Sequence, residues 1–190
     1  MAIRRFSIAE PGVKSNKFWD QDTQQGAMVP IGHVIANGNN SNMNFLNIPN
    51  HYRDLVLVIN ATSNSAHSGA IIFNYASFGT YSATFLRGNG SSALSTRVTS
   101  SGAGPLLSNV TYGQTIPTSS VIHIQNYANT SGFKTYLGRN AADVNGSGET
   151  QMIAGLWQKT EAIYEILLSS GSGSIFWSGT ATLYGIKAGA

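Results

Sequence analysis

Cysteine is absent from this chain. Disulfides and thiolate metal sites are therefore excluded, and the fold must be held by its core, by hydrogen-bonded backbone or by association with copies of itself. Charge is scarce as well. Asp, Glu, Lys and Arg make up 10% of the 190 residues, where an average soluble domain has roughly 25%. Solubility falls to Asn, Ser, Thr and Gly, and such a polar, nearly neutral surface suits packing against protein better than steering a charged ligand. The net charge is only +3. Arg53, Arg87, Arg97, Lys134, Arg139, Lys159 and Lys187 stand singly among apolar runs, whereas phosphate binding needs basic residues gathered in one place. No nucleic-acid partner is expected. Long apolar runs are missing too: nothing approaches the roughly 18 residues of a membrane-spanning helix, so no membrane partner is expected. The opening MAIRRFSIAEPG carries positive charge without the apolar stretch of a secretory signal.

No window shows a sustained i, i+3, i+4, i+7 pattern, so few helical residues are expected. What recurs instead is short β-branched and aromatic runs separated by Gly, Ser and Asn clusters. MVPIGHVIA (28–36), GAIIFNY (69–75), TYSATFLRG (80–88), ALSTRVT (93–99), SSVIHIQNY (119–127), GFKTYLGR (132–139) and ETQMIAGLWQK (149–159) read as strands. Leu55 to Ile59 is an unbroken apolar run, as expected of a strand covered on both faces. The C-terminal run EAIYEILLSSGSGSIFWSGTATLYGIK (161–187) reads as a central hairpin turned by Gly171 and Gly173. Face assignments follow from period-2 alternation: Ile122 and Ile124 oppose His123, and Phe133 and Leu137 oppose Lys134 and Tyr136. About nine to eleven such strands predict an all-β fold, an antiparallel β-sandwich or jelly roll, as a single domain over residues 28–190.

Residues 1–27 differ from the rest. Arg4, Arg5, Glu10, Lys14, Lys17, Asp20 and Asp22 concentrate charge there, and Pro11 and Gly12 break regular structure. This segment is expected to be an extended arm. Phe18 and Trp19 within it would be poorly solvated in water, so they are expected to dock, either on the chain's own sheet or on a neighbouring subunit.

Signals for catalysis are weak. His33, His51, His67 and His123 lie far apart without metal-ligand spacing. Asp20 and Asp22 lack the further oxygen ligands of a calcium loop. Serine is abundant, yet no G-x-S-x-G elbow is present. SSGSGS (169–174) resembles a phosphate loop but is followed by neither lysine nor helix. Glu161 and Glu165, an even number of positions apart along one strand, share a face and could pair for glycoside hydrolysis, yet no aromatic cluster beside them marks a sugar cleft. No catalytic residue, cofactor or metal is expected. Tyr112, Tyr127, Tyr136 and Trp157 fall near strand ends or on outer faces, where rings could stack on sugars, although core packing explains most of them equally well.

The order of HYRDLVLVINATS, FNYASFGTYSATFLRGNG, IHIQNYANTSGFKTYLGR, GLWQKTEAIYEILLSSGSG and SGTATLYGIK resembles a small β-sandwich domain of tailed-bacteriophage virion structural proteins, with similar versions in cyanophages. The likeness spans residues 44–187. It implies a non-enzymatic virion component. The chain holds little beyond the domain and the arm, with no shaft of repeats, which favours a capsid decoration (cement) protein over a fibre. The expected partners are the major capsid protein or neighbouring structural subunits and further copies of the chain, with a homotrimer as the expected form. Arg4, Arg5, Phe18 and Trp19 of the arm would make the contacts. The alternative is a receptor-binding tail fibre or spike module that meets host surface glycans through loops 62–69, 100–118 and 140–148.

Overall fold

The computed structural model describes residues 27–65, 67–76, 79–106, 116–143, 145–146 and 148–187. All regular structure among them is strand: β1 (Met28–Asn40), β2 (Asn42–Phe45), β3 (Asp54–Ser63), β4 (Ala70–Phe73), β5 (Tyr81–Gly88), β6 (Ala93–Ser101), β7 (Gly104–Pro105), β8 (Thr118–Ile124), β9 (Lys134–Asp143), β10 (Gly148–Trp157), β11 (Ile166–Ser169) and β12 (Trp177–Ile186). They form an eight-stranded sheet in the order β1-β12-β3-β8-β9-β10-β5-β6 and a four-stranded sheet in the order β2-β11-β4-β7. Every recorded pairing is antiparallel. The small sheet packs on one face of the large one, with β2 against β1 and β12, and β7 against β10 and β5. This is the antiparallel sandwich that the spacing of strand and turn signals predicts.

Alternation builds the core. Leu55, Leu57, Ile59 and Ala61 of β3 point inward with Ile122 and Ile124 of β8 and Leu183 of β12, and meet Met43, Phe45, Ile71, Phe73, Ile166 and Leu168 from the small sheet. Towards the β10–β5 side the core becomes aromatic. Phe73 packs edge-on to Trp157 at 5.5 Å and to Tyr136 at 6.0 Å between ring centroids, and Tyr81 stacks on Trp157 at 6.4 Å. The Tyr81 hydroxyl accepts the Phe73 backbone N–H at 2.7 Å, so this buried ring also ends the strand β4.

Three sequence expectations are corrected. The run 55–59 is not covered on both faces: Val56 and Val58 are half-exposed while Leu55, Leu57 and Ile59 are buried, because no second layer among the described residues lies on the outer face of the large sheet. The face assignment in β9 is right in grouping and reversed in direction. Lys134 and Tyr136 point into the core and Leu137 points out, with Phe133 exposed just before the strand. Lys134 tolerates that position because its ammonium donates to the carbonyls of Gly132 (2.8 Å) and Thr160 (3.0 Å) at the core's rim.

The C-terminal run is not a hairpin. Its first strand, β11, pairs with β2 and β4 in the small sheet, and its second, β12, pairs with β1 and β3 in the large one. The Ser/Gly stretch therefore steps between layers. Gly171 supplies the positive φ (76°), and the Ser170 hydroxyl donates to the carbonyls of Ser172 and Ile175, both at 2.8 Å. Each of the two strands is flanked on both sides, so the run is central to both sheets at once.

Candidate functional site

The large sheet leaves one broad face uncovered among the described residues. Seven spacings of about 4.8 Å make it about 34 Å wide, and ten-residue strands make it about 33 Å long. Its residues follow from the pairing registers. One cross-strand row runs Leu86, Met152, Arg139, Val121, Val58, Thr182, His33, and the next runs Thr84, Ala154, Leu137, His123, Val56, Tyr184. Leu86, Leu137 and Met152 are 56%, 50% and 58% exposed. Leu86 stands directly opposite Met152, and Leu137 opposite Ala154. Covering these three side chains with protein would contribute about 2–4 kcal/mol before ordering costs.

Between β5, β9 and β10 the small residues Ser82, Thr84, Thr135 and Ala154 let the face sink into a groove of about 650 Å³, bordered by Arg97, Leu137 and Leu156. Its floor depends on a packing device. Gly155 faces inward, and the Tyr136 ring fills the place of its missing side chain, so closely that a Cβ on Gly155 would stand 2.0 Å from Tyr136 Cζ. Burial pushes the Tyr136 phenol far above the usual tyrosine range. Charge on this face is sparse and mostly positive. Arg97 and Arg139 are exposed and, among the described residues, take part in neither the Arg87–Glu149 ion pair at 3.2 Å nor the Asp54–His123 contact at 3.4 Å.

The residues singled out from sequence fare unevenly. Arg4, Arg5, Phe18 and Trp19, with Asp20 and Asp22, lie outside the described residues, as does Tyr112. Tyr127, Tyr136 and Trp157 are fully buried and cannot stack on a sugar. Tyr127 instead donates its hydroxyl to the Pro49 carbonyl. Glu161 is exposed and Glu165 buried. Residues 161–165 form no strand, so the two carboxylates do not share a sheet face. Glu165 accepts the Tyr75 hydroxyl, which holds that phenol above its ordinary value.

The segment ahead of β11 is fixed by Asn74. Its side-chain oxygen accepts the backbone N–H groups of Tyr164 (3.0 Å) and Glu165 (3.1 Å), and its amide donates to the Ala162 carbonyl at 2.8 Å. The four histidines do not converge. His33 meets the Thr182 hydroxyl at 2.8 Å, His51 lies on Tyr52, His123 pairs with Asp54, and His67 sits edge-on to Trp177 at 4.6 Å. Desolvation of His67 lowers its pKa below the ordinary imidazole value. Among the described residues no group of three His, Asp or Glu side chains could hold a metal ion.

The residues that sequence reasoning missed are Leu86, Arg97, Arg139 and Met152. Leu137 was assigned to the core. Parity gave no signal here, because either orientation of β9 turns a charge inward, Arg139 with Leu137 or Lys134 with Tyr136.

No family model and no curated protein matches the chain. Among solved structures, a protein of unknown function from Shewanella oneidensis MR-1 aligns with 87% of this chain and 78% of its own length, at 12% identity and a TM-score of 0.21. That score is too low to carry either a fold relationship or a function.

Proposed function

We propose that the chain is a non-enzymatic structural component of a tailed-phage virion, a decoration protein that braces the head by protein–protein contact. The order of its sequence segments supports this, since it is similar to that of phage virion sandwich domains. The observation that carries the reading furthest is the open face of the eight-stranded sheet. Its extent of about 34 by 33 Å exceeds the roughly 800 Å² that each partner buries in a standard interface. It presents half-exposed Leu86, Leu137 and Met152 in a nearly neutral setting, the composition of a contact surface.

The mechanism is mechanical. The sandwich is the body that braces, and the leading segment is its fastener, anchored at Phe18 and Trp19 and reaching the neighbour with Arg4 and Arg5. Contacts that are individually weak add by avidity when repeated over a lattice or within a symmetric oligomer such as a trimer. A glycan-recognising tail tip is the lesser reading, because three of the four rings assigned to sugar stacking lie in the core. The test is deletion of residues 2–25. The domain should fold with an unchanged β-sheet spectrum and fail to join particles; undiminished incorporation would overturn the reading.

A further inference from the structure

We propose that the groove on the open sheet face is the seat of this chain's own Phe18–Trp19 pair, so that the base of the arm is stapled across the large sheet and only residues 1–17 project towards a neighbour.

Geometry makes this seat reachable. The described chain begins at Ala27 and enters β1 at Met28. Met28 stands opposite Ile186, and Ile186 opposite Asp54. The Asp54 carboxylate accepts the Asn126 N–H, and Gln125 donates to the Thr135 carbonyl. Thr135 pairs with Leu156, and Leu156 with Ser82. The arm therefore leaves the sheet at the end of the same cross-strand row that floors the groove. From β1 to β9 and β10 is four to five strand spacings, about 19–24 Å. Trp19 precedes Met28 by nine positions, and nine extended residues span up to about 30 Å.

Chemistry matches the seat to this occupant. The groove's small floor and its Leu137 and Leu156 rim accept an aromatic ring, and a tryptophan left in water is poorly solvated. The residues just after the pair, Asp20 and Asp22, bring two carboxylates to a face where Arg97 and Arg139 are exposed and without an ion pair among the described residues. Phe-Trp-Asp-Gln-Asp thus offers what this patch of sheet wants: an apolar anchor followed by negative charge.

The isolated full-length chain tests this without any particle, so the result is independent of the virion reading. Trp157 and Trp177 are fully buried, and the difference spectrum between wild type and Trp19→Phe isolates the Trp19 emission. That emission should be blue-shifted and protected from iodide, at all protein concentrations. Leu137→Asp and Ala154→Arg change exposed positions and should leave circular dichroism and melting intact while shifting Trp19 to the red and removing its protection. Because the chain has no cysteine, a Gln21→Cys/Ala154→Cys pair should also close a disulfide within one chain. A solvent-like Trp19 in wild type, a Trp19 signal indifferent to both groove variants, or a disulfide formed only between chains would each overturn the proposal.

Discussion

Replacing Gly155 with alanine adds a single methyl group, and the structure says where it goes. The new Cβ would lie 2.0, 2.2 and 2.5 Å from Cζ, Cε1 and Cε2 of Tyr136, where carbon atoms in contact keep about 3.5–4.0 Å. The ring must retreat by about 1.5 Å, and it has nowhere to go. Tyr136 is buried, Phe73 packs edge-on at 6.0 Å, and its hydroxyl donates to the Pro105 carbonyl at 3.3 Å. Overpacking costs about 1–3 kcal/mol, and loss of the hydroxyl's partner adds about 1 kcal/mol. The expected destabilisation is about 2–4 kcal/mol, which lowers Tm by about 4–16 °C for a domain of this size. Thermal and urea unfolding should agree on it. In a Tyr136→Ala background the clash is gone, and Gly155→Ala should then be neutral or stabilising by up to about 1 kcal/mol, since glycine weakens a strand interior. The two changes should therefore couple by about 2 kcal/mol or more. A Gly155→Ala protein melting within a degree of wild type, or the same loss in both backgrounds, would refute the packing described for the groove floor.

Two further changes probe the joints of the sandwich. Asn74→Ala removes one side chain that satisfies three backbone groups between residues 162 and 165, and should cost about 2–4 kcal/mol by urea unfolding, whereas Asn74→Asp should retain the two bonds to the oxygen and lose less. His67 gives the stability a pH dependence. Its folded pKa lies below the ordinary 6.5 because burial disfavours the cation, so the unfolded chain takes up the proton first as pH falls. The stability present above 6.5 should decline as pH drops through the folded pKa and then level off; His67→Gln should flatten that segment of the stability–pH curve, and an unchanged slope would remove His67 as its source.

Much of the fold was legible in the sequence because strand period and turn chemistry are local. The inward set Ile122 and Ile124, the opposite placement of His123, and the start of β1 at Met28 all follow from alternation and punctuation. What alternation cannot encode is which sheet a strand joins. Residues 161–187 look alike whether Ser170–Phe176 reverses a hairpin or crosses between layers, and only the pairing of β11 with β2 and β4 decides it. Nor does period 2 say which face is inward when each carries one large apolar group. In β9 the choice falls to Lys134, whose ammonium finds two carbonyls, and to Tyr136, whose ring fits against Gly155. Once Leu137 is placed outside, Met152 and Leu86 follow by register. The open face was therefore hidden in a single parity.

We propose that this sandwich works by adhering to other protein within a virion. The most direct measurement of this proposal is a cryo-electron microscopy map of the assembled particle, searched for the paired sheets of this sandwich. The account predicts copies seated on the capsid in symmetric clusters, with residues 1–17 reaching into neighbouring subunits. Density for the domain at a fibre tip, or a complete particle without it, would contradict the account.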